Sequence, residues 1–207
     1  MNKFFAFAFS IFLSVSVFAQ SVTFDSVCKN LSAHPNTTGD FTQVRKITKA
    51  KRTLSSSGTF IFSLDGIMWK TLKPFPSSLV INKTSVVQTA PDGKQTVIDA
   101  SNNQIFTSIS TTLTSVFSGK IDSLEEIFSV NFFAEGNTWK ALLTPKDESI
   151  SAVLKTLELN GTQSKDEAAF SSIILTDAGG DTTTYTFTNQ KYPKELSANE
   201  KAIFTTK

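Results

Sequence analysis

Residues 58–81 constrain the fold most, because they form short alternating runs separated by strong turn signals. In the first run Phe60 and Phe62 share one face, while Ile61 interrupts an otherwise polar face. Asp65-Gly66 predicts a tight turn, and the two prolines near the end of the stretch cannot lie in a central strand, because proline lacks the ladder donor. The stretch therefore predicts antiparallel strands that carry large apolar groups and no catalytic side chain.

The same alternation of short runs and turn residues continues along the chain. Extended runs are predicted at residues 41–49, 52–63, 67–72, 79–81, 85–89, 95–99, 130–134, 138–144, 154–160, 168–176, 182–188 and 202–205. These twelve runs, some of them very short, predict an α+β chain that is mainly antiparallel β, with roughly ten or eleven strands and about three helices. An antiparallel sheet of this size must curl or close on itself.

Helical periodicity appears in three segments. Residues 22–33 predict a short amphipathic helix that ends before Pro35. Between residues 103 and 117, apolar residues recur every three or four positions and share one face: Ile105, Phe106, Ile109, Leu113, Val116 and Phe117. A short helix is predicted next, from Asp122 or Ser123 through Phe128. These last two helices interrupt the strands midway, so they would cover one mouth or one face of a curled sheet.

The first 19 residues predict an export signal. Lys3 supplies the positive start, a short apolar core follows, and small residues precede a cleavage site after Ala19. A membrane anchor is the alternative, but the apolar run is shorter than the ~20 residues that span a bilayer. Residues 20–207 then form one domain. Its single cysteine, Cys28, excludes an intramolecular disulfide, so packing alone must stabilise the domain.

Composition and motifs give little support to catalysis. The chain has 20 Lys and Arg against 18 Asp and Glu, so no nucleic-acid partner is indicated. His34 is the one histidine and is predicted to lie in an exposed polar loop, and no nucleophile, metal or phosphate-loop motif is present. Trp69 and Trp139 could stack on a sugar, but alternating strands more often place such residues in the core. We therefore predict a binding protein without a cofactor, a metal or a catalytic residue.

Several short motifs occur in an order that resembles a known family. They are Gly39-Asp-Phe-Thr-Gln43, Gly58-Thr-Phe-Ile-Phe62, Trp69, Pro74, Asp92-Gly93-Lys94 and Leu142-Leu-Thr-Pro-Lys146. Together they resemble the LolA-type family of periplasmic lipoprotein carriers along nearly the whole mature chain. Residues 58–76 and 177–181 are most similar to a shorter LolA-like branch, found beside polyene-type lipid biosynthesis genes in some Gram-negative bacteria.

The resemblance implies an unclosed β-barrel of about 11 strands, with helices as a lid over an apolar cavity. It implies a monomeric periplasmic carrier that takes acylated lipoproteins from an inner-membrane ABC exporter to an outer-membrane receptor. Ten residues are expected to line the lipid-binding cavity: Phe60, Phe62, Trp69, Leu79, Ile81, Ile105, Ile109, Leu113, Val116 and Phe117.

The chain departs from the family at one position. Well-studied carriers have an Arg-Pro pair, whose arginine tethers the lid, where this chain has Ser63-Leu-Asp-Gly66. The arginines of this chain are Arg45 and Arg52. A carrier of another lipid, such as a polyene or glycolipid intermediate, and a non-enzymatic interaction scaffold therefore remain alternatives. A carbohydrate-acting enzyme is a weaker one.

Overall fold

The computed structural model describes residues 22–82, 85–99, 112, 114–116 and 121–205. One antiparallel sheet contains eleven strands, as the alternating sequence predicted. The strands are β1 Asn36–Ile47, β2 Arg52–Ser63, β3 Gly66–Lys73, β4 Ser77–Asn82, β5 Ser85–Thr89, β6 Gln95–Asp99, β7 Phe128–Glu135, β8 Thr138–Pro145, β9 Leu154–Gln163, β10 Ala168–Asp177 and β11 Thr182–Lys191.

The strand order is β6-β5-β4-β3-β2-β1-β11-β10-β9-β8-β7. Strands that follow each other in the chain pair with each other, except β6 and β7. At the centre of the sheet β1 pairs with β11 and joins two meandering halves. The sheet is not closed, because β6 and β7 form its two edges. In the chain, residues 100–127 link these two edge strands. The predicted fold class is confirmed.

Four helices have complete described bounds: α1 Phe24–Ser32, α2 Ile121–Ile127, α3 Glu148–Ser151 and α4 Ala198–Thr205. The helix predicted at 22–33 is confirmed as α1, which begins with a capping box between Thr23 and Ser26. The short helix predicted through Phe128 is confirmed as α2, which ends at Ile127, and Phe128 begins β7. Most of the helix predicted at 103–117 lies outside the described residues, although residues 112 and 114–116 are helical. Within the described ranges, no helix is long and apolar enough to cross a membrane.

The predicted edge strand at residues 202–205 is wrong, because these residues end helix α4. Ser197 and Glu200 explain the difference. The Ser197 N–H donates to the Glu200 carboxylate at 2.8 Å, and the Glu200 N–H donates to the Ser197 hydroxyl at 3.4 Å. This reciprocal pair satisfies two backbone donors at the helix start. Helix α4 then packs against β4 and buries Phe204.

The two faces of the sheet carry separate apolar clusters. The main core lies on the concave face and includes Val27, Cys28 and Leu31 of α1 with residues from both halves of the sheet. A second cluster lies on the opposite face, where Leu196 and α4 cover part of the sheet; it contains Ile61, Met68, Leu196 and Phe204. Ile61 therefore interrupts the polar pattern of β2 because its side chain packs under α4.

Gly58 allows β2 and β3 to approach closely. A Cβ atom at this position would lie 1.9 Å from the backbone oxygen of Lys70. The strand register also shifts between Ser57 and Gly58, which marks a bulge. The glycine that opens the aromatic part of β2 is thus required by the contact with the neighbouring strand.

Candidate functional site

A cavity of about 210 Å³ opens on the concave face, between the two halves of the sheet. Its walls come from β1, β3, β4 and β5 on one side and from β9, β10 and β11 on the other. The lining residues are Phe41, Gln43, Trp69, Thr71, Ser77, Ser78, Leu79, Ile81, Gln88, Leu157, Ile173, Leu175 and Tyr185. The cavity therefore depends on the curl of the sheet, which brings distant strands together.

Aromatic rings join the two walls. The Trp69 ring centroid lies 5.1 Å from that of Phe62 and 5.7 Å from that of Tyr185. The Phe41 ring centroid lies 5.9 Å from that of Tyr185. These tilted and edge-to-face contacts are the arrangements that aromatic rings prefer. They make a continuous apolar floor under the cavity.

The structure divides the predicted strand residues between the cavity wall and the core behind it. Trp69, Leu79 and Ile81 line the cavity. Phe60 and Phe62 are almost fully buried, and their ring centroids lie 4.6 Å apart in the main core. Phe62 packs against Trp69 behind the cavity wall, and contact of Phe60 and Phe62 with a ligand stays a prediction.

Of the predicted helix residues, Val116 lies in the main core and is fully buried. The other four, Ile105, Ile109, Leu113 and Phe117, lie outside the described residues. Their role as a lid over the cavity stays a prediction.

Sequence reasoning missed the wall that the second half of the sheet contributes. Leu157, Ile173, Leu175 and Tyr185 line the cavity from β9, β10 and β11. Each lies on the inward face of an alternating strand, so the signal for burial was present in the sequence. No local pattern, however, indicates which distant strand faces Trp69.

The remaining wall is polar but uncharged. Gln43, Thr71, Ser77, Ser78 and Gln88 supply amide and hydroxyl groups, and no Asp, Glu, Lys or Arg is among the described lining residues. The arrangement suits a ligand with an apolar body and a neutral polar end.

Tyr185 also contributes a neutral group. Burial raises the pKa of its phenol above the ordinary value, and the nearby Arg45 charge lowers it by a smaller amount. The phenol therefore stays protonated at neutral pH. An ionised ligand would find no opposite charge on this wall among the described residues.

Groups that could carry out chemistry are scattered or inert. Burial, with a smaller effect from Asp25, raises the pKa of Cys28 to about 12, so its thiol stays protonated. Trp139 is buried, and its indole N–H donates to the Thr162 carbonyl at 3.1 Å. Within the described ranges, no group of three or more His, Cys, Asp or Glu residues could hold a metal ion.

His34 lies at the opposite end of the sheet. Its ring stacks on that of Tyr192, with centroids 4.1 Å apart. The sequence predicted an exposed His34, but the side chain is half-buried. Both residues line a second cavity of about 370 Å³ that also contains Asn137, Gln163 and Glu167. This second cavity is larger, but its amide and carboxylate groups do not suit an apolar ligand.

Three solved structures are similar to this chain at low identity. A LolA superfamily protein from Nitrosomonas europaea is 12% identical, with 90% of this chain and 99% of that chain covered and a TM-score of 0.47. An outer membrane lipoprotein-sorting protein domain from Vibrio parahaemolyticus is 9% identical, with 87% and 97% covered and a TM-score of 0.46. A DUF1329 family protein from Desulfovibrio piger is 10% identical, with 84% and 93% covered and a TM-score of 0.48.

A match to a protein family identifies the chain more directly. None of the curated protein sequences matches it. The family model described as outer membrane lipoprotein carrier protein LolA matches residues 34–205, which is well over half of the chain. The match covers all eleven strands and begins just after helix α1, and it confirms the resemblance seen in the sequence motifs. The chain belongs to the outer membrane lipoprotein carrier protein LolA family.

Proposed function

We propose that this protein is a periplasmic carrier that binds the acyl chains of lipoproteins in the cavity between Trp69 and Tyr185. In this proposal it ferries them from the inner membrane to the outer membrane. The observation that carries the proposal is the uncharged, largely apolar cavity on the concave face. Membership of the LolA family supports the same function.

The physical need for such a cavity is large. Burial of an acyl chain stabilises it by ~0.8 kcal/mol per CH₂ group. Exposure of a long chain to water therefore costs on the order of 10 kcal/mol of free energy. A carrier only has to replace water with an apolar wall, and no covalent step is required. Leu79, Ile81, Leu157, Ile173 and Leu175 provide that wall.

Loading requires the walls to move apart. The cavity of about 210 Å³ is smaller than the roughly 300–1,000 Å³ of pockets that hold drug-sized ligands. The sheet can widen because β6 and β7 are its two edges, and among the described strands the β1–β11 pair is the only strand pairing between the two halves. We propose that residues 103–117, with Ile105, Ile109, Leu113 and Phe117, cover the cavity and move during loading.

A second candidate is a carrier of another lipid, such as a polyene or glycolipid intermediate. The arginine latch of well-studied carriers is absent, and neither arginine of this chain lines the cavity. Arg45 instead pairs with Asp181 at 3.6 Å. The first candidate function requires an inner-membrane ABC exporter as donor and an outer-membrane receptor. The second candidate function would require different partners.

Native mass spectrometry tests the function and separates the two candidates. The protein is extracted from the periplasm of a Gram-negative host without detergent and then incubated with a synthetic triacylated lipopeptide. The first candidate predicts a one-to-one complex with the lipopeptide. A complex with a co-purified lipid that the lipopeptide does not displace supports the second. A protein that stays ligand-free under both conditions contradicts acyl binding.

A further inference from the structure

Positive charge is concentrated in the first half of the sheet. Between Asp40 and Asp92 the one acidic residue is Asp65, which lies in the turn at the opposite end of β2 from Arg52. Among the described residues of this part of the chain, seven cations are exposed: Arg45, Lys46, Lys49, Lys51, Arg52, Lys70 and Lys73. We refer to these seven residues as the basic tip. The overall charge of +2 conceals this asymmetry.

The basic tip lies at the end of the sheet that the cavity reaches. Five of its residues surround the turn between β1 and β2, and Lys73 pairs with Ser57 beside that hairpin. Thr71 and Ser77, which line the cavity, pair with each other just before the turn from β3 to β4. In the described part of the chain, the Arg45–Asp181 contact is the one ion pair that any of these cations makes.

Exposed apolar side chains accompany the basic tip. Phe75, in the turn between β3 and β4, is 71% exposed, and Leu54 and Leu72 are about half exposed. Pro74 and Pro76 flank Phe75 and restrict its backbone, which limits the entropy that is lost when the ring is immobilised. An exposed phenylalanine held between prolines and surrounded by lysines combines an apolar anchor with positive charge.

We propose that this end of the protein docks directly on an anionic lipid bilayer. Lysine and arginine side chains of the basic tip would bind headgroup phosphates, while Phe75 enters the boundary between headgroups and acyl chains. Charge alone would suit any polyanion, but the exposed Phe75, Leu54 and Leu72 favour a surface with an apolar interior. Docking in this orientation places the cavity mouth against the membrane, where an acyl chain could pass without crossing water.

Vesicle co-sedimentation tests the electrostatic part. The purified protein is mixed with phosphatidylcholine vesicles, or with vesicles that also contain phosphatidylglycerol. We expect stronger binding to the anionic vesicles and loss of that binding as salt increases. The double variant Lys49→Ser/Lys51→Ser should weaken binding roughly fivefold for each cation removed. The matched control Lys165→Ser/Lys194→Ser removes two exposed cations at the other end and should bind like the parent protein.

A second pair of variants tests the apolar anchor. Phe75→Ser should weaken binding to anionic vesicles about tenfold. Phe133→Ser, which changes a phenylalanine that is 57% exposed on β7, should leave binding unchanged. Thermal unfolding of each variant confirms that it is folded. Equal binding to both vesicle types, no binding to either, or equal losses in the test and control variants would overturn the proposal. If the protein binds neither type of vesicle, a protein partner would be the remaining occupant of this surface.

Discussion

The Trp69 and Tyr185 ring centroids lie 5.7 Å apart, although two strands separate β3 from β11 in the sheet. In a flat sheet these strands would be about 14 Å apart, because neighbouring strands are spaced by ~4.8 Å. Curling of the sheet, together with the reach of the two side chains, closes this distance. The contact unites the two halves of the sheet around the cavity.

A charge placed inside the cavity should abolish acyl binding. Leu79 lines the cavity, so Leu79→Glu would force a carboxylate into contact with the acyl chain, which costs several kcal/mol. We expect at least a hundredfold weaker binding of a fluorescent acyl probe. Leu64→Glu is the matched control, because Leu64 is 54% exposed in the turn between β2 and β3. Equal probe affinity of the two variants, both shown to be folded, would contradict the assigned site.

Phe62 should matter for stability more than for contact with the ligand. Its side chain is almost fully buried in the main core, so Phe62→Ala should lower the free energy of unfolding by about 3–5 kcal/mol. Phe75→Ala, at a site that is 71% exposed, should change it by less than about 0.5 kcal/mol. Urea unfolding measures both values. Similar midpoints for the two variants would show that the core assignment of Phe62 is incorrect.

A methyl group at Gly58 should separate β2 from β3. The new Cβ would lie 1.9 Å from the Lys70 backbone oxygen, so the strands must shift. We expect Gly58→Ala to destabilise the protein by about 1–3 kcal/mol. Gly179→Ala is the comparison, because a Cβ there would lie no closer than 3.2 Å to any atom, and that atom is a side-chain oxygen of Asp177 rather than backbone. If both variants unfold at the same urea concentration, the close approach is not what requires the glycine.

The Cys28 thiol should be unreactive in the folded protein. Its pKa is raised from 9.0 to about 12, mainly by burial. Between these pH values the unfolded chain loses a proton that the folded chain keeps, so this group lowers stability as pH rises from 9 to 12. At about pH 8 a disulfide reagent should label Cys28 only after unfolding. Rapid labelling of the native protein would show that the thiol is accessible.

Strand alternation predicted much of the sheet, because each strand has one buried face and polar residues on the other. Pairing of β1 with β11 could not be predicted from the same pattern, since any alternating strand can pair with any other. The burial of Ile61 depends on α4, which follows it by more than a hundred residues. Such contacts between distant segments decide which face of a strand is covered.

The sequence contains a signal that contradicts the predicted strand at residues 202–205. Ser197 and Glu200 have the spacing of a capping box, and this spacing indicates a helix that starts before the short apolar run. A four-residue apolar run alone fits a strand or a helix equally well.

The candidate site was only partly predictable. The resemblance to the family implied that Trp69 and Leu79 line a cavity, and the structure places both of them on its wall. The opposite wall comes from β9 to β11, and its position follows from the curl of the whole sheet. Net charge likewise concealed the basic tip, because acidic residues are concentrated in other parts of the chain.

Photo-crosslinking with an acyl chain that carries a terminal diazirine tests the central claim most directly. The lipid is bound, illuminated, and located by peptide mass spectrometry. If the cavity between Trp69 and Tyr185 holds the chain, adducts should occur on peptides from both β3–β4 and β10–β11, and Leu79→Glu should remove them. Adducts confined to the opposite face around α4, or scattered over the surface and unchanged by Leu79→Glu, would contradict the account.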